Sequence, residues 1–473
     1  MVIRPNASQW NLSHFMLFTL AVFYLALPSY FAFELTDAMP SFSASRIIII
    51  VTTLIALLAQ KKIRIPRNSP IMIIALVWAV LMILLNLLHI SDAFSYATKE
   101  IFSIFLERVL LVLIVCTYVD SEEKIDEFLH YMVVTSMVLA VIGMVEFVTN
   151  YNVFELLETS TRDYLQSHYD RAGMHRTASS FGHAVYYALY CTCMLPFSLY
   201  LFEKTRRRLY MICMSFNVVG ILMSGTRGQL FPLFLVALAY VAFADKRIRF
   251  RYVRALIAVM AVISVICIAV PDIRNFILQN VLSLLNELGF DVSVSEHYGT
   301  NSHGIESRIM QFSGVRWLIL NNKFWFGFGP VPAYRGLVSY YYPNYGWVKT
   351  ESIDVGYISW FLSFGLAGFL TNAMQFVTLL YYSYKYSKRF KHRTNTLEFA
   401  FLVFVIIYLV SLFNSSGNGD LLWIVIALMI VHQRCISSRD TPANRRMPDL
   451  IVPEIRVPEV RKPRKVHVKV RRK

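Results

Sequence analysis

Charge is what this chain has least of. Only 16% of its 473 residues are Asp, Glu, Lys or Arg and 56% are hydrophobic, whereas an ordinary soluble domain is roughly a quarter charged. That balance argues against a water-soluble enzyme. Cysteine is scarce as well, with six residues at 116, 191, 193, 213, 267 and 435. Five lie inside apolar blocks and one just past the last, none where an exported disulfide would form, so they read as packing residues. Cys191-Thr-Cys193 is too closely spaced for a redox pair or a structural metal site. The chain also lacks a Gly-rich phosphate loop, a paired His-x-x-x-His, a Cys-x-x-Cys and a Gly-x-Ser-x-Gly elbow. ATP hydrolysis, metalloprotease and ordinary hydrolase chemistry thereby lose their usual support. No basic run precedes the first apolar block and no small-residue cleavage site follows it, which makes it an uncleaved span rather than a signal peptide.

What the chain has is apolar length. Blocks occur at about 15–33, 46–60, 70–90, 101–119, 127–149, 184–202, 208–224, 229–244, 253–271, 358–384, 396–414 and 418–434, most of them about long enough to cross ~30 Å of hydrocarbon as a helix. The expectation is an all-α, polytopic integral membrane protein of about twelve transmembrane helices over residues 1–440. With the N-terminus inside, nineteen Lys or Arg fall in the short inner connectors. They are Lys61, Lys62, Arg64, Arg67, Lys124, Lys204, Arg206, Arg207, Arg208, Lys246, Arg247, Arg249, Arg251, Arg254, Lys385, Lys388, Arg389, Lys391 and Arg393. The short outer connectors hold Arg46, Lys99 and Arg227 alone. Positive connectors are retained on the cytoplasmic side, so both termini are expected inside a plasma (inner) membrane. The net charge of +16 then reports topology rather than nucleic-acid binding. The tail, 441–473, holds eleven Lys or Arg against three Asp or Glu, with prolines at 448, 453, 458 and 463. Those prolines preclude a continuous helix, leaving a disordered basic arm that lies on acidic lipid, meets a cytosolic partner, or serves topology alone.

This arrangement leaves two long outer connectors, 150–183 and 272–355. Long loops with no obvious structure of their own are functional or disordered; these carry aromatics, glycines, histidines and arginines, which favours function. Nucleotide-activated donors are cytoplasmic, so an outward site needs a substrate that arrives already activated, and a lipid-linked one fits. The connectors hold Arg162, Arg171, Arg176, Arg308, Arg316 and Arg335, and Arg227 sits in the tight turn Ser224-Gly-Thr-Arg-Gly228. A guanidinium is a planar donor fork that stays charged and grips two phosphate oxygens at once; the alternative for each arginine is a solvated or headgroup-contacting charge. The run Tyr340-Tyr341-Tyr342-Pro-Asn-Tyr-Gly-Trp347 is either a sugar-stacking platform or an interfacial aromatic belt. Within span four, Glu107 and Arg108 should face protein or a wet groove. Sequence neighbours point about 100° apart on a helix, so these two should not pair, and Glu146 is the expected partner of Arg108.

Four stretches carry a family resemblance: Arg176-Thr-Ala-Ser-Ser-Phe-Gly-His183; Ser224-Gly-Thr-Arg227-Gly; Ser307-Arg308 with Arg316-Trp317 and Phe326-Gly-Phe-Gly-Pro330; and Asp354-Val-Gly-Tyr357-Ile running to Gly365-Leu-Ala-Gly368. In order, spacing and outer placement the chain over roughly 90–430 resembles the O-antigen polymerase and ligase superfamily, membrane glycosyltransferases that act on undecaprenyl-pyrophosphate-linked sugars. The family's arginine followed eleven positions later by glycine is met by Arg171–Gly182 and Arg316–Gly327, and also by Arg162–Gly173 and Arg335–Gly346, so it does not choose among them. Ligases of the superfamily carry a His-Asn pair where this chain has Asp354. The departure resembles the polymerase branch and ranks polymerase above ligase.

The resemblance implies a metal-independent polysaccharide polymerase, without cofactor, that joins lipid-linked repeat units into O-antigen, capsule or exopolysaccharide. Arg227 and Arg308 would stabilise the leaving pyrophosphate, and Asp354 would orient or deprotonate the acceptor hydroxyl; as a bare sequence feature, Asp354 reads equally as a helix cap. Arg171, Arg176, Arg316, His183, His303, Tyr341, Trp347 and Tyr357 would bind substrate, with His183, His303 and His297 as weaker base candidates. Expected partners are the lipid-linked oligosaccharides, membrane lipid, a flippase and a chain-length regulator. The alternatives are a ligase onto lipid A core and a lipid-oligosaccharide flippase or transporter, which would gather polar residues and broken helices near the midplane.

Overall fold

The computed structural model describes residues 12–34, 40–59, 69–159, 170–171, 174–243, 249–250, 271–287, 305–334, 336–342, 346–349, 353–389, 396–415 and 419–439, with isolated positions between 253 and 268. In chain order the described helices of seven residues or more are α1 (Leu12–Ala26), α2 (Ala44–Leu58), α3 (Pro70–Leu88), α4 (Phe94–Tyr118), α5 (Glu122–Thr149), α6 (Ala184–Thr205), α7 (Arg208–Met223), α8 (Leu230–Phe243), α9 (Pro271–Glu287), α10 (Ile305–Gln311), α11 (Gly356–Arg389), α12 (Leu397–Ser411) and α13 (Gly419–Arg439). Three two-stranded ribbons, the largest Ser339–Tyr342 against Gly346–Lys349, are the strands among the described residues. Six helices, α3, α4, α5, α6, α11 and α13, are long and apolar enough to cross a membrane; α1, α2, α7, α8 and α12 are apolar but shorter. Eleven of the twelve apolar blocks thus fall on helices, and the block 253–271 lies mostly outside the described residues. The basic tail from 441 lies outside them too.

Local signals set the helix ends. Ser69 precedes Pro70 at the start of α3 and accepts the Met72 N–H; Ser121, followed by Glu122 and Glu123, accepts the Lys124 N–H at the start of α5. Both patterns quench orphan donors, and the acids complement the positive helix end. Helices α5, α6 and α7 meet where small residues admit a large one. A Cβ on Gly143 would stand 2.7 Å, and one on Gly220 2.4 Å, from the Tyr187 hydroxyl. Close approach over glycine is how helices associate where lipid offers no hydrophobic drive. Cys116, Cys191, Cys193 and Cys213 are buried thiols, as packing residues should be.

Two charged contacts lock α4 into its neighbours. Its middle, Ile104–Leu110, is a π-helical turn, and the adjacent Glu107 and Arg108 find partners on different helices. Glu107 accepts from Arg46 of α2 at 2.7 Å and from Ser103, while Arg108 reaches Asp420 of α13 at 3.4 Å. The expected Arg108–Glu146 pair does not form: Glu146 is buried elsewhere, against His175. Glu107 and Arg108 thus each have an opposite partner, which is the condition for tolerating such charges within a membrane.

Helix α11 is broken. Phe364 (φ −132°, ψ 18°) and Gly365 (φ 61°, ψ −156°) leave helical geometry, and Gly365 occupies a region open essentially to glycine alone. The loop Phe324–Gly329 fills the break. The N–H groups of Phe328 and Gly329 donate to Leu362 O and Ser363 O, and those of Leu366 and Ala367 donate to Phe324 O and Trp325 O, at 2.8–3.1 Å. His89, which caps α3, bonds Phe326 O at 2.8 Å. The first segment of α11 starts against the end of α12, where Gly356 N–H donates to Leu412 O, and finishes beside His89, whose ring lies 6.2 Å from Phe364. It therefore crosses between two helix ends rather than running straight on. Above it Leu318, Tyr334, Val338, Ile353, Val355, Ile358 and Leu362 form a second small core. The connector 272–355, expected to lack obvious structure, is thus folded over much of its length: α9, α10, a ribbon and this core.

The break predicts a glycine requirement. A Cβ on Gly365 would sit 2.4 Å from Trp325 C, and one on Gly327 2.4 Å from Ser363 backbone, whereas Gly336, also at positive φ, meets nothing within 4 Å. Gly365→Ala and Gly327→Ala should each cost on the order of 3 kcal/mol or more, and Gly336→Ala only about 1 kcal/mol. Thermal unfolding of the detergent-solubilised protein measures this; a Gly365→Ala protein that melts with the wild type would refute the strap.

Candidate functional site

The site is built from the loop before α6. Glu146, buried on α5, accepts the Ala178 N–H at 3.1 Å, the Ser179 N–H at 2.7 Å and His175 Nε2 at 3.1 Å. A carboxylate holding two backbone donors is a strong charge-assisted anchor. Thr177 adds a second tie, its hydroxyl donating to Gly143 O at 3.3 Å. Between these fixed residues Arg176 has one direction left, across to the α7–α8 turn. Its Nε donates to Ser224 O at 3.0 Å and its Nη2 to Thr226 Oγ1 at 3.1 Å. Arg176 and Arg227 therefore share one turn.

That turn is tight for identifiable reasons. Gly225 takes φ +59°, and a Cβ there would lie 2.8 Å from the Phe276 ring. Gly228 is pressed by Asn414, which donates to Gly228 O at 3.0 Å, and Gln229 meets Ser411 at 3.1 Å. Arg227 is held in the middle, only 6% exposed. Ile277, Asn280 and Val281 of α9 cover it, leaving a cavity of about 10 Å³, room for about one water. His183 caps α6 from the same loop: its Nδ1 accepts the Val185 N–H at 3.1 Å, which leaves Nε2 as the donor of the neutral ring. Burial, with the Arg176 charge second, pushes its pKa down to about 4. It stays neutral near pH 7.

The second half begins on the far side of the same helix end. Gly356 packs on Leu412 and Ser415, and the Tyr357 hydroxyl donates to Leu409 O. Asp354 is exposed just ahead of α11. Its backbone N–H, and that of Val355, donate to Gln311 Oε1 at 3.2 and 3.3 Å. Gln311 is one turn beyond Arg308 on α10 and shares its face, so α10 carries Arg308 to the side from which Asp354 is held. Residues 411–415 join the halves, with the Arg227 turn on one side and the Asp354 segment on the other.

Arg316 belongs to a different cluster. Its guanidinium lies 4.0 Å over the Trp347 ring, Trp347 faces Tyr341 across the ribbon at 5.5 Å, and the Trp317 indole N–H donates to Ser339 O at 2.6 Å. Tyr341 and Trp347 remain about half exposed, so the ribbon offers an aromatic face with a cation beneath it. Sequence reasoning singled out these residues but not Glu146 and Asn414 as their organisers. Glu146 was legible as an acid near a span end, but its partners were not. Among the described residues no three His, Cys, Asp or Glu side chains gather to hold a metal ion. Arg162, Arg335, His297 and His303 lie outside the described residues, and Arg171 has only its backbone described.

Compared with family models and with curated proteins, the chain matches none.

The His183 geometry gives a pH prediction. The folded value near 4 lies below the free-imidazole value of 6.5, so the unfolded chain takes up a proton that the folded chain refuses. The stabilising contribution is complete above pH 6.5 and is lost as pH falls to about 4. His183→Asn keeps a cap acceptor and should flatten that segment of the stability–pH curve; an unchanged slope would remove His183 as its source.

Proposed function

We propose that this protein is a membrane glycosyltransferase of the polysaccharide-polymerase type, joining polyprenyl-pyrophosphate-linked oligosaccharides outside the plasma membrane. It crosses the membrane about twelve times with both termini in the cytoplasm. The observation that carries the reading is the convergence of Arg176 and Arg227 on one turn, with Asp354 across the same helix end. In the reaction the acceptor hydroxyl attacks the anomeric carbon, and a new C–O bond forms as the bond to pyrophosphate breaks. The leaving polyprenyl pyrophosphate keeps the electron pair, and the hydroxyl proton passes to Asp354, the exposed carboxylate. Guanidinium groups held in a dewatered turn favour the charge that develops on the leaving group. Because α9 covers Arg227, the headgroup has to displace it on entry.

His183 fits the base role less well, since the nitrogen free of the cap carries a proton in the neutral ring. The O-antigen ligase is the second reading and shares every contact above. A flippase is the third; it is favoured by the broken α11 and opposed by the saturation of that break with loop backbone. A flippase and a chain-length regulator are the proposed protein partners.

In cells that depend on this protein for polymer, Arg227→Ala and Arg308→Ala at normal expression should leave single repeats in place of long chains. Asp354→Asn should lower the polymerisation rate on the order of 10²-fold or more. Long polymer from either arginine variant would reject the assignment, and full activity in Asp354→Asn would remove the carboxylate from the chemistry.

A further inference from the structure

Away from the arginine turn, the outer end of α3 and the strap loop enclose an open groove of about 540 Å³ lined by Asp92, Ala93, Phe94, Ser95, Tyr96, Lys323, Phe328 and Leu337. Its size is that of a small-molecule site, and its floor is rigid. Phe328 is bonded to the broken helix through Leu362 O, and the neighbouring Phe326 O is held by His89. The two charged residues in it have opposite signs. Lys323 and Asp92 lie 3.8 Å apart and are 41% and 62% exposed, a loose pair screened by solvent and worth little. Either side chain can turn to a ligand at small cost. Together they cancel, so the groove selects neither an anion nor a cation. Beside them Phe94 and Tyr96 are 63% and 45% exposed, large aromatic faces left in the open at the start of α4.

An acceptor, a donor, a hydroxyl and bare aromatic faces around a neutral, preorganised groove are the complement of a sugar, whose ring has apolar faces and a hydroxyl rim. A phosphate is disfavoured by the Asp92 carboxylate. The first segment of α11 runs from the Asp354 side to this groove, and eight helical residues span roughly 12 Å, the reach of a short oligosaccharide. We infer that the Asp92–Tyr96–Lys323 groove is a binding subsite for uncharged sugar residues of the glycan, set apart from the pyrophosphate end. This rests on the glycosyltransferase reading for its substrate but stands on separate residues.

The test uses the full-length protein in detergent and, as probe, the oligosaccharides released by partial acid hydrolysis of the host's own surface polysaccharide. Tyr96→Ala and Asp92→Asn, both at exposed positions, should weaken binding at least fivefold by calorimetry while leaving thermal unfolding unchanged. Arg227→Ala should bind this phosphate-free probe within twofold of wild type. In cells Tyr96→Ala should shorten the modal chain length, with single repeats still consumed. Equal binding by wild type and Tyr96→Ala, or none by the wild type, overturns the inference. So does a Tyr96→Ala effect confined to retention of phospholipid, which would make the groove a lipid contact. Tyr96-dependent sugar binding alongside intact polymer in Arg227→Ala cells would sink the transfer reading and keep the groove.

Discussion

The course of α11 depends on four backbone hydrogen bonds. Opening a helix at the edge of a bilayer strands polar groups that cost several kcal/mol each if nothing pairs with them. The break at Phe364–Gly365 strands Leu362 O, Ser363 O, Leu366 N–H and Ala367 N–H, and the loop Phe324–Gly329 satisfies all four. Both segments must come within backbone contact for this, which accounts for Gly327 lying against Ser363–Phe364 and Gly365 against Phe324–Phe326. The strap fixes the long connector before α11 to the bundle and turns the start of α11 sideways. It thereby decides where Asp354, Tyr357 and the second core lie.

The same rule governs the charges. Several charges reach a partner on another element: Arg46 with Glu107, Arg108 with Asp420, Glu146 with His175 and two backbone donors. Arg176 differs in kind, because the partners it shows are a carbonyl and a hydroxyl of a neutral turn. Neutral acceptors of this kind fix where the Arg176 guanidinium sits on the turn it shares with Arg227. An ion pair such as Arg46–Glu107 also offsets the charge it holds. Arg46 and Arg108, each held by a carboxylate of another helix, are on that ground structural.

Much of the fold was legible because apolar length and helix caps are local signals. The blocks at 70–90, 127–149 and 184–202 end within a turn or two of α3, α5 and α6. The break in α11 was not legible, since Gly365-Leu-Ala-Gly368 reads as an ordinary small-residue stretch and the strap is more than thirty residues away. Of the candidate site, the resemblance placed Arg176, Arg227 and Asp354 on one face, and the bonds through Ser411–Ser415 bring their segments together. The Arg108–Glu146 pairing failed because Glu146 is used up in bracing the loop before α6, a contact no periodicity could reveal. Arg316 joined the aromatic ribbon for a similar reason: the register that sets Trp347 beside Tyr341 also presents its ring to the guanidinium.

The broken helix bears on the choice between transfer chemistry and transport. In a transporter, unwound backbone near the midplane leaves carbonyls and N–H groups open to coordinate cargo and lets half-helices rock. Here the break lies level with His89, at the end of α3 rather than its middle, and the stranded groups are bonded to the strap. Such backbone has little capacity left for an ion and little freedom to rock without breaking those bonds. What it offers is a stiff lateral arm with the Asp354 side at one end and the Lys323 groove at the other. A stiff arm is of little use for alternating access, but it suits a reaction in which one end of a glycan must be held while the other is joined.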